Sequence, residues 1–331
     1  MKNKLIILLL VFTIILSGCG SKGKTEEKPG ELKDITFVLD WTPNTNHTGI
    51  YVAIEKGYYE EAGLKVNVVQ PAEGSAESLV GTDYAQFGIS FQDYLAHAIS
   101  GNSKMPVVAI AAILQHNHSG ILSRKGDGID RPLGLEGKTY ATWDLPVEHK
   151  ILETVMAEDG GDFEKVVKIP STVLDEITAL DSKEIDAVWV YYGWAGIAAE
   201  VRDFETDYFE FRDIDSTFDY YSPILITNEK LVEEDPELVQ AFVDATKKGY
   251  EFAIENPEES GKILLSADDA LGEELVKASQ EWMTDKYTDE GVAWGYIDPE
   301  RWGRFYKWLN DEELLEGDIS PEAGFTNEFI K

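Results

Sequence analysis

The chain has 331 residues, 29 of them basic and 62 acidic, for a formal net charge of −33, and it contains a single cysteine. That balance argues against nucleic acid and anionic lipid surfaces as partners, because both repel a polyanion. One cysteine permits no disulfide within the chain, so stability has to come from a hydrophobic core, which a chain of this length can build.

The chain starts with Lys2 and Lys4, an apolar run from Leu5 to Leu16, and then Leu16-Ser17-Gly18-Cys19. A basic start, an apolar stretch of about 7–15 residues and a small-residue cleavage site describe a secretory signal. The run falls short of the roughly 20 residues a membrane span requires. "LSGC" resembles a bacterial lipobox. Residues 1–18 are therefore expected to be a lipoprotein signal, with Cys19 lipidated and 19–33, small and charged, a flexible tether. The folded body would then lie outside the cytoplasm, anchored to the outer face of the bacterial cell membrane.

From Ile35 short apolar runs alternate with amphipathic segments. "ITFVL" predicts a strand, "TGIYVAIEKG" a helix stopped by Gly57, and "LKVNVV" a strand. "SAESLVG" and "FQDYLAHAIS" predict helices, "YAQFGIS" and "PVVAIAAIL" strands. After "SRKGDGIDRP" the rhythm restarts, with strands at "KTYATW", "KVVKIP" and "EIDAVWVY" and helices at "VEHKILETVMAEDG", "TVLDEITALDS" and "GWAGIAAEVR". Strands alternating with helices predict βαβ units on largely parallel sheets. Beyond "YYSPILITN" come amphipathic helices over Pro236–Glu255, Pro257–Leu265, Gly272–Lys286 and Pro299–Leu309, expected to cover the first lobe. The expected fold is α/β with two lobes: 34–123 plus 222–331, and 124–221.

In open α/β sheets ligands bind outside the carboxyl ends of the strands, where helix N-termini converge. The junctions at those ends carry an unusual set of side chains. In the first lobe they hold Trp41, Asn44, Asn46 and His47, then Glu73, then Ser90, Phe91 and Gln92, then Gln115 and His116. In the second they hold Trp143 and Asp144, then Tyr191, Tyr192 and Trp194, with Tyr221 on the return crossing. Asn44 and Asn46 could each cap a helix or touch a ligand, and Trp41 could be a wall or core. The recurrence of aromatics and amides in both lobes points to a cleft that clamps a flat ring and reads its edge. The same junctions carry Asp40, Glu73, Asp93, Asp144 and Glu148 but no Lys or Arg before Arg124, which favours a ligand rich in hydrogen-bond donors over an anion.

Competing chemistries are poorly represented. His116 and His118 on one strand face could bind a metal, but no clustered third ligand accompanies them, so no metal and no cofactor is expected. No P-loop, G-x-S-x-G or G-x-G-x-x-G occurs. Trp282, Trp294, Trp302 and Trp308 read as helix-packing core.

"LDWTPNTNHTGIYVAIEKGYYEEAGLKV", "VQPAEGSAESLV", "AQFGIS" and "AVWVYYGWAGI" resemble the thiamine-pyrimidine family of ABC-transporter substrate-binding proteins, over essentially the whole chain after Cys19. The resemblance implies a type II periplasmic-binding-protein fold, a monomer whose two lobes, joined by two crossovers near Ser123 and Tyr221, close on a small heterocyclic ligand. It also implies partnership with an ABC permease and its ATPase, and no enzymatic activity. By the family pattern Trp41 and the aromatics of "YYGW" flank a pyrimidine such as formylaminopyrimidine or hydroxymethylpyrimidine, and carboxylates or amides bind its amino group and ring nitrogens. The chain departs from that pattern at Ala195, where relatives carry an acid; Glu73, Asp144 or Glu148 would then take its place. The superfamily also holds riboflavin and sulfonate binders and a pyrimidine-synthesising enzyme, which stand as the alternatives.

Overall fold

In a computed structural model describing residues 32–71, 75–170, 173, 175–289 and 291–331, two five-stranded sheets form the scaffold. The expected signal, Cys19, most of the tether and Glu73 lie outside the described residues. The strands are β1 (Lys33–Val38), β2 (Leu64–Val69), β3 (Phe87–Ser90), β4 (Val107–Ala112), β5 (Ser119–Arg124), β6 (Thr139–Thr142), β7 (Val167–Pro170), β8 (Ala187–Tyr191), β9 (Thr206–Glu210) and β10 (Ile224–Asn228). One sheet runs β2-β1-β3-β10-β4 and the other β7-β6-β8-β5-β9.

In each sheet the strand entered straight after a crossover runs against its neighbours. β10 is antiparallel to β3 and β4, and β5 is antiparallel to β8 and β9. The geometry requires this: a chain that leaves one sheet at the carboxyl ends of its parallel strands enters the other at the same, facing end. The change of sheet lies within 113–118, ahead of the expected boundary at 124, because residues 119–124 pair along their length in the second sheet. β5, β9, β10 and the short helices Tyr58–Glu61, Phe211–Ile214 and Glu229–Glu234 are not assigned from the sequence; the other strands and the longer helices overlap the segments where the periodicity puts them.

β4, "VVAIAA", is buried throughout, as a strand covered on both faces must be. One face of the first sheet meets the helix Pro236–Glu255, whose Phe242 stacks on Phe87 at 3.8 Å between ring centroids. That helix also lies against the helix Thr48–Glu55 that follows the first junction. Contact there is close enough that a Cβ on Gly249 would stand 2.0 Å from the Gly49 carbonyl oxygen. Two glycines thus let the backbones touch and fix the start of the helix below "NTNH". No helix among the described residues is long and apolar enough to cross a membrane.

The helix Glu273–Met283 differs from expectation. It packs on the second sheet's helix Ile197–Val201 and on the turn before it, as well as on the first junction. It therefore bridges the two halves rather than covering the first alone.

Candidate functional site

The first junction follows directly from its residue types. Asn44 caps the short turn Thr45–His47: its Oδ1 accepts from the Asn46 N–H at 2.9 Å and its Nδ2 donates to the Thr42 carbonyl at 3.1 Å. The Asn44 N–H donates to His47 Nδ1 at 3.1 Å, which leaves Nε2 to carry the proton it shares with Asp40 Oδ1 at 2.7 Å. His47 is fully buried and supports the turn. The Asn46 carbonyl accepts from the Tyr250 hydroxyl at 2.6 Å, while its side chain has no hydrogen bond among the described residues and lines a cavity. Asn44 is therefore the cap, and Asn46 is the amide left available.

That cavity lies between the facing ends of the two sheets. Asn44, Thr45, Asn46, Leu114 and Ser222 line it from one side, Tyr191, Gly193 and Trp194 from the other, and His118, Trp282 and Met283 close it. Its volume is about 20 Å³, room for about one water. The sequence "YYGWAG" winds here as a π-helical turn, Tyr192–Gly196, a distortion common at functional sites. A Cβ on Gly193 would stand 2.9 Å from the Met283 sulfur and the Trp282 ring, so only glycine lets the bridging helix lie this close. A hydroxyl chain ties the parts together. Thr45 Oγ1 donates to Ser279 Oγ at 2.7 Å, and Ser279 Oγ donates to the Gly193 carbonyl.

Trp282, expected in the core, is part of this wall. Its ring meets His118 edge-on at 5.0 Å and Tyr192 at 5.6 Å. The local pattern could not reveal it, since an indole on an amphipathic helix reads as packing until the helix's neighbours are known. Trp294 and Trp302 are buried as expected. His116 and His118 do not share a site: His116 Nδ1 pairs with Asp219 at 2.7 Å and His118 Nδ1 with Glu210 at 3.1 Å. Burial pushes the Glu210 carboxyl up, but hydrogen bonds from His118 and Arg212 outweigh it and hold the group below its usual range. Among the described residues no group of three His, Cys, Asp or Glu is placed to hold a metal ion.

Other junction residues serve the frame. Gln92 is fully buried, donating to the Trp302 carbonyl and accepting from the Tyr221 N–H, both at 2.9 Å. Gln115 donates to the Tyr296 carbonyl at 3.1 Å. Ser90 donates to Glu77, and the Tyr221 hydroxyl accepts from the Asp298 N–H at 2.8 Å. Tyr192 donates to Glu200 at 2.5 Å. Phe91 faces Tyr191 across the two halves at 6.0 Å with rings 15° from parallel. Trp41 is 62% and Trp143 45% exposed, two indoles held toward solvent at the ends of β1 and β6. Asp144 is exposed, its backbone at φ 62° in the left-handed region. Ala195 is buried among apolar side chains of the second half.

Two mixed α/β sheets with facing carboxyl ends, joined by two crossovers around an aromatic-lined gap, define the periplasmic-binding-protein class of fold. Residues 44–260 match the family model described as NMT1/THI5 like, and the chain belongs to that family. The formylaminopyrimidine-binding protein of Halalkalibacterium halodurans is 30% identical over 335 residues, covering 99% of each chain. The 4-amino-5-hydroxymethyl-2-methylpyrimidine phosphate synthase of Legionella pneumophila is 27% identical, covering 72% of this chain and 74% of that one. Among solved structures, the alkanesulfonate-binding protein SsuA of Xanthomonas axonopodis pv. citri superposes with a TM-score of 0.67 at 12% identity, over 89% of this chain and 99% of the other, a likeness of fold.

Proposed function

We propose that this protein is the solute-binding component of an ABC importer that captures an aminopyrimidine precursor of thiamine, formylaminopyrimidine or hydroxymethylpyrimidine, between two closing lobes. The observation that carries this reading is the end-to-end similarity to a formylaminopyrimidine-binding protein, aligned over 99% of both chains. The site is consistent with it. Trp41, Tyr191, Trp194 and Trp282 offer ring faces, Asn46 offers an uncommitted amide, and among the described residues the cavity lining includes no Lys or Arg to favour an anion. The lobes comprise the first sheet with the C-terminal helices and the second sheet with residues 119–210. Cys19 carries the lipid anchor, the body works as a monomer on the outer face of the membrane, and a partner ATPase supplies the energy.

Synthase relatives at lower coverage make an enzyme the rival reading. A binding protein releases its ligand unchanged, whereas a synthase turns it over. A thermal-shift screen with both pyrimidines, riboflavin and taurine tests the proposal, because a ligand specific to the folded state raises its stability by mass action. The pyrimidines should raise the melting temperature and be recovered intact. A shift with riboflavin or taurine alone would reassign the ligand.

A further inference from the structure

Resting on the pyrimidine reading, we propose that Asp93 is the group that pairs with the amino group and adjacent ring nitrogen of the bound heterocycle. The other carboxylates near the strand ends are already paired or face solvent. Asp40 is bonded to His47, and Glu77 accepts from Ser90. Glu148 has both oxygens occupied, by the Tyr140 and Thr142 hydroxyls and the Trp143 and Leu145 N–H groups. Asp144 stands in solvent. Asp93, in the first turn of the helix Gln92–Ile99, is partly buried and has no side-chain hydrogen-bond partner among the described residues; its carboxyl is met only by its own N–H and that of Tyr94.

Its surroundings are those of a ring-binding slot. Phe91, two residues before it, faces Tyr191 of the second sheet, and Tyr94, just after it, lies 5.6 Å from Phe91 and is 46% exposed. The second sheet presents unpaired groups on the same face as Tyr191. Ser119 is the direct cross-strand partner of Tyr191, and Trp189 precedes Tyr191 by two residues, so all three project to one side. Ser119 Oγ and Trp189 Nε1 are buried without hydrogen-bond partners among the described residues, the residues being 0% and 4% exposed. Buried polar atoms are normally paired, and two unpaired ones on the same face of the sheet call for an explanation. A polar ligand edge held between Asp93 and this face supplies one.

Burial lifts the Asp93 carboxyl from 3.8 to about 6, with Glu77 adding and the Tyr94 N–H and His97 opposing. Tyr191, Tyr220 and Tyr306 face it from the neighbouring elements and feel its charge. An aminopyrimidine edge offers an N–H donor beside a nitrogen lone pair. A carboxyl holding one proton matches both, accepting from the amino group and donating to the ring nitrogen. The pair holds the same single proton when the ring nitrogen carries it and the carboxyl is ionised. Binding a neutral pyrimidine above pH 6 therefore takes up one proton.

Titration calorimetry with 4-amino-5-hydroxymethyl-2-methylpyrimidine at pH 6 and pH 8, in two buffers of different ionisation enthalpy, tests this. The protein should take up close to one proton at pH 8 and bind about tenfold or more weakly than at pH 6. Asp93→Ala should lose at least tenfold in affinity without melting lower than the parent protein. Asp93→Asn, whose amide also accepts and donates, should keep most of the affinity and lose the proton uptake. An analogue with hydrogen in place of the amino group keeps only the ring-nitrogen bond, so Asp93→Ala should cost it less affinity than it costs the aminopyrimidine. Tight pyrimidine binding with no proton uptake and no effect of Asp93→Ala would overturn the inference and leave the proposed function standing. No pyrimidine binding by the parent protein would overturn both.

Discussion

Asp93 and Glu148 both sit in the first turn of a helix, where the backbone favours a negative charge, yet their surroundings give them opposite effects on stability. Glu148 accepts four hydrogen bonds in a buried setting. Glu148→Ala strands those donors and should cost about 2–4 kcal/mol, read as a lower urea midpoint. Asp93 is the reverse. Its folded pKa of about 6 lies above the ordinary 3.8, so the stability tied to its protonated form is intact below pH 3.8 and is lost as pH rises through 6. Asp93→Asn should therefore raise stability at pH 7.5 by about 1–3 kcal/mol, a gain that vanishes near pH 4. A stability gain that persists unchanged at pH 4 would show that burial of the charge is not its cause. The sequence places Asp40, Asp93, Asp144 and Glu148 as equals at strand ends. What separates them is partner and burial, set by residues far away in the chain. The two asparagines of "PNTN" part company for the same reason: capping consumes Asn44, and only the assembled cavity shows Asn46 to be free.

Elements were legible where periodicity and stop signals are local. β2, "LKVNVV", and the helix Pro236–Glu255 lie within their predicted limits, and Gly57, at φ 73°, ends the first helix by the left-handed conformation glycine accepts readily. β5 and β9 were not legible. "SGILSR" and "TDYFE" are short and lack a clean alternation, and their strand character comes from pairing with β8 and with each other. The helix Glu273–Met283 shows a further limit: amphipathicity identifies the helix but not the surface it meets. Because Ser279 links Thr45 to Gly193 across the two halves, Ser279→Ala removes a hydrogen bond of the closed arrangement, worth about 0.5–1.5 kcal/mol. Ligand affinity should fall by about two- to tenfold, with the change mainly in dissociation rate on stopped-flow release. An unchanged release rate would mean that the helix does not hold the cleft shut.

At the scale of the molecule, the alternation of strands and helices and its restart made two α/β halves readable, and the recurring aromatics at strand ends marked the face where they meet. The sequence did not reveal how tightly the halves meet. A cavity of about 20 Å³ is too small for a heterocycle, so under the proposed function ligand entry would require the halves to separate and reclose, with segments 113–118 and 211–223 as the connections that would move. Calorimetric titration of the protein with formylaminopyrimidine and hydroxymethylpyrimidine, beside riboflavin, tests whether this gap takes an aminopyrimidine. At least one pyrimidine should bind saturably and one-to-one, and riboflavin should not bind. Tight riboflavin binding with no heat from either pyrimidine would contradict the proposed function.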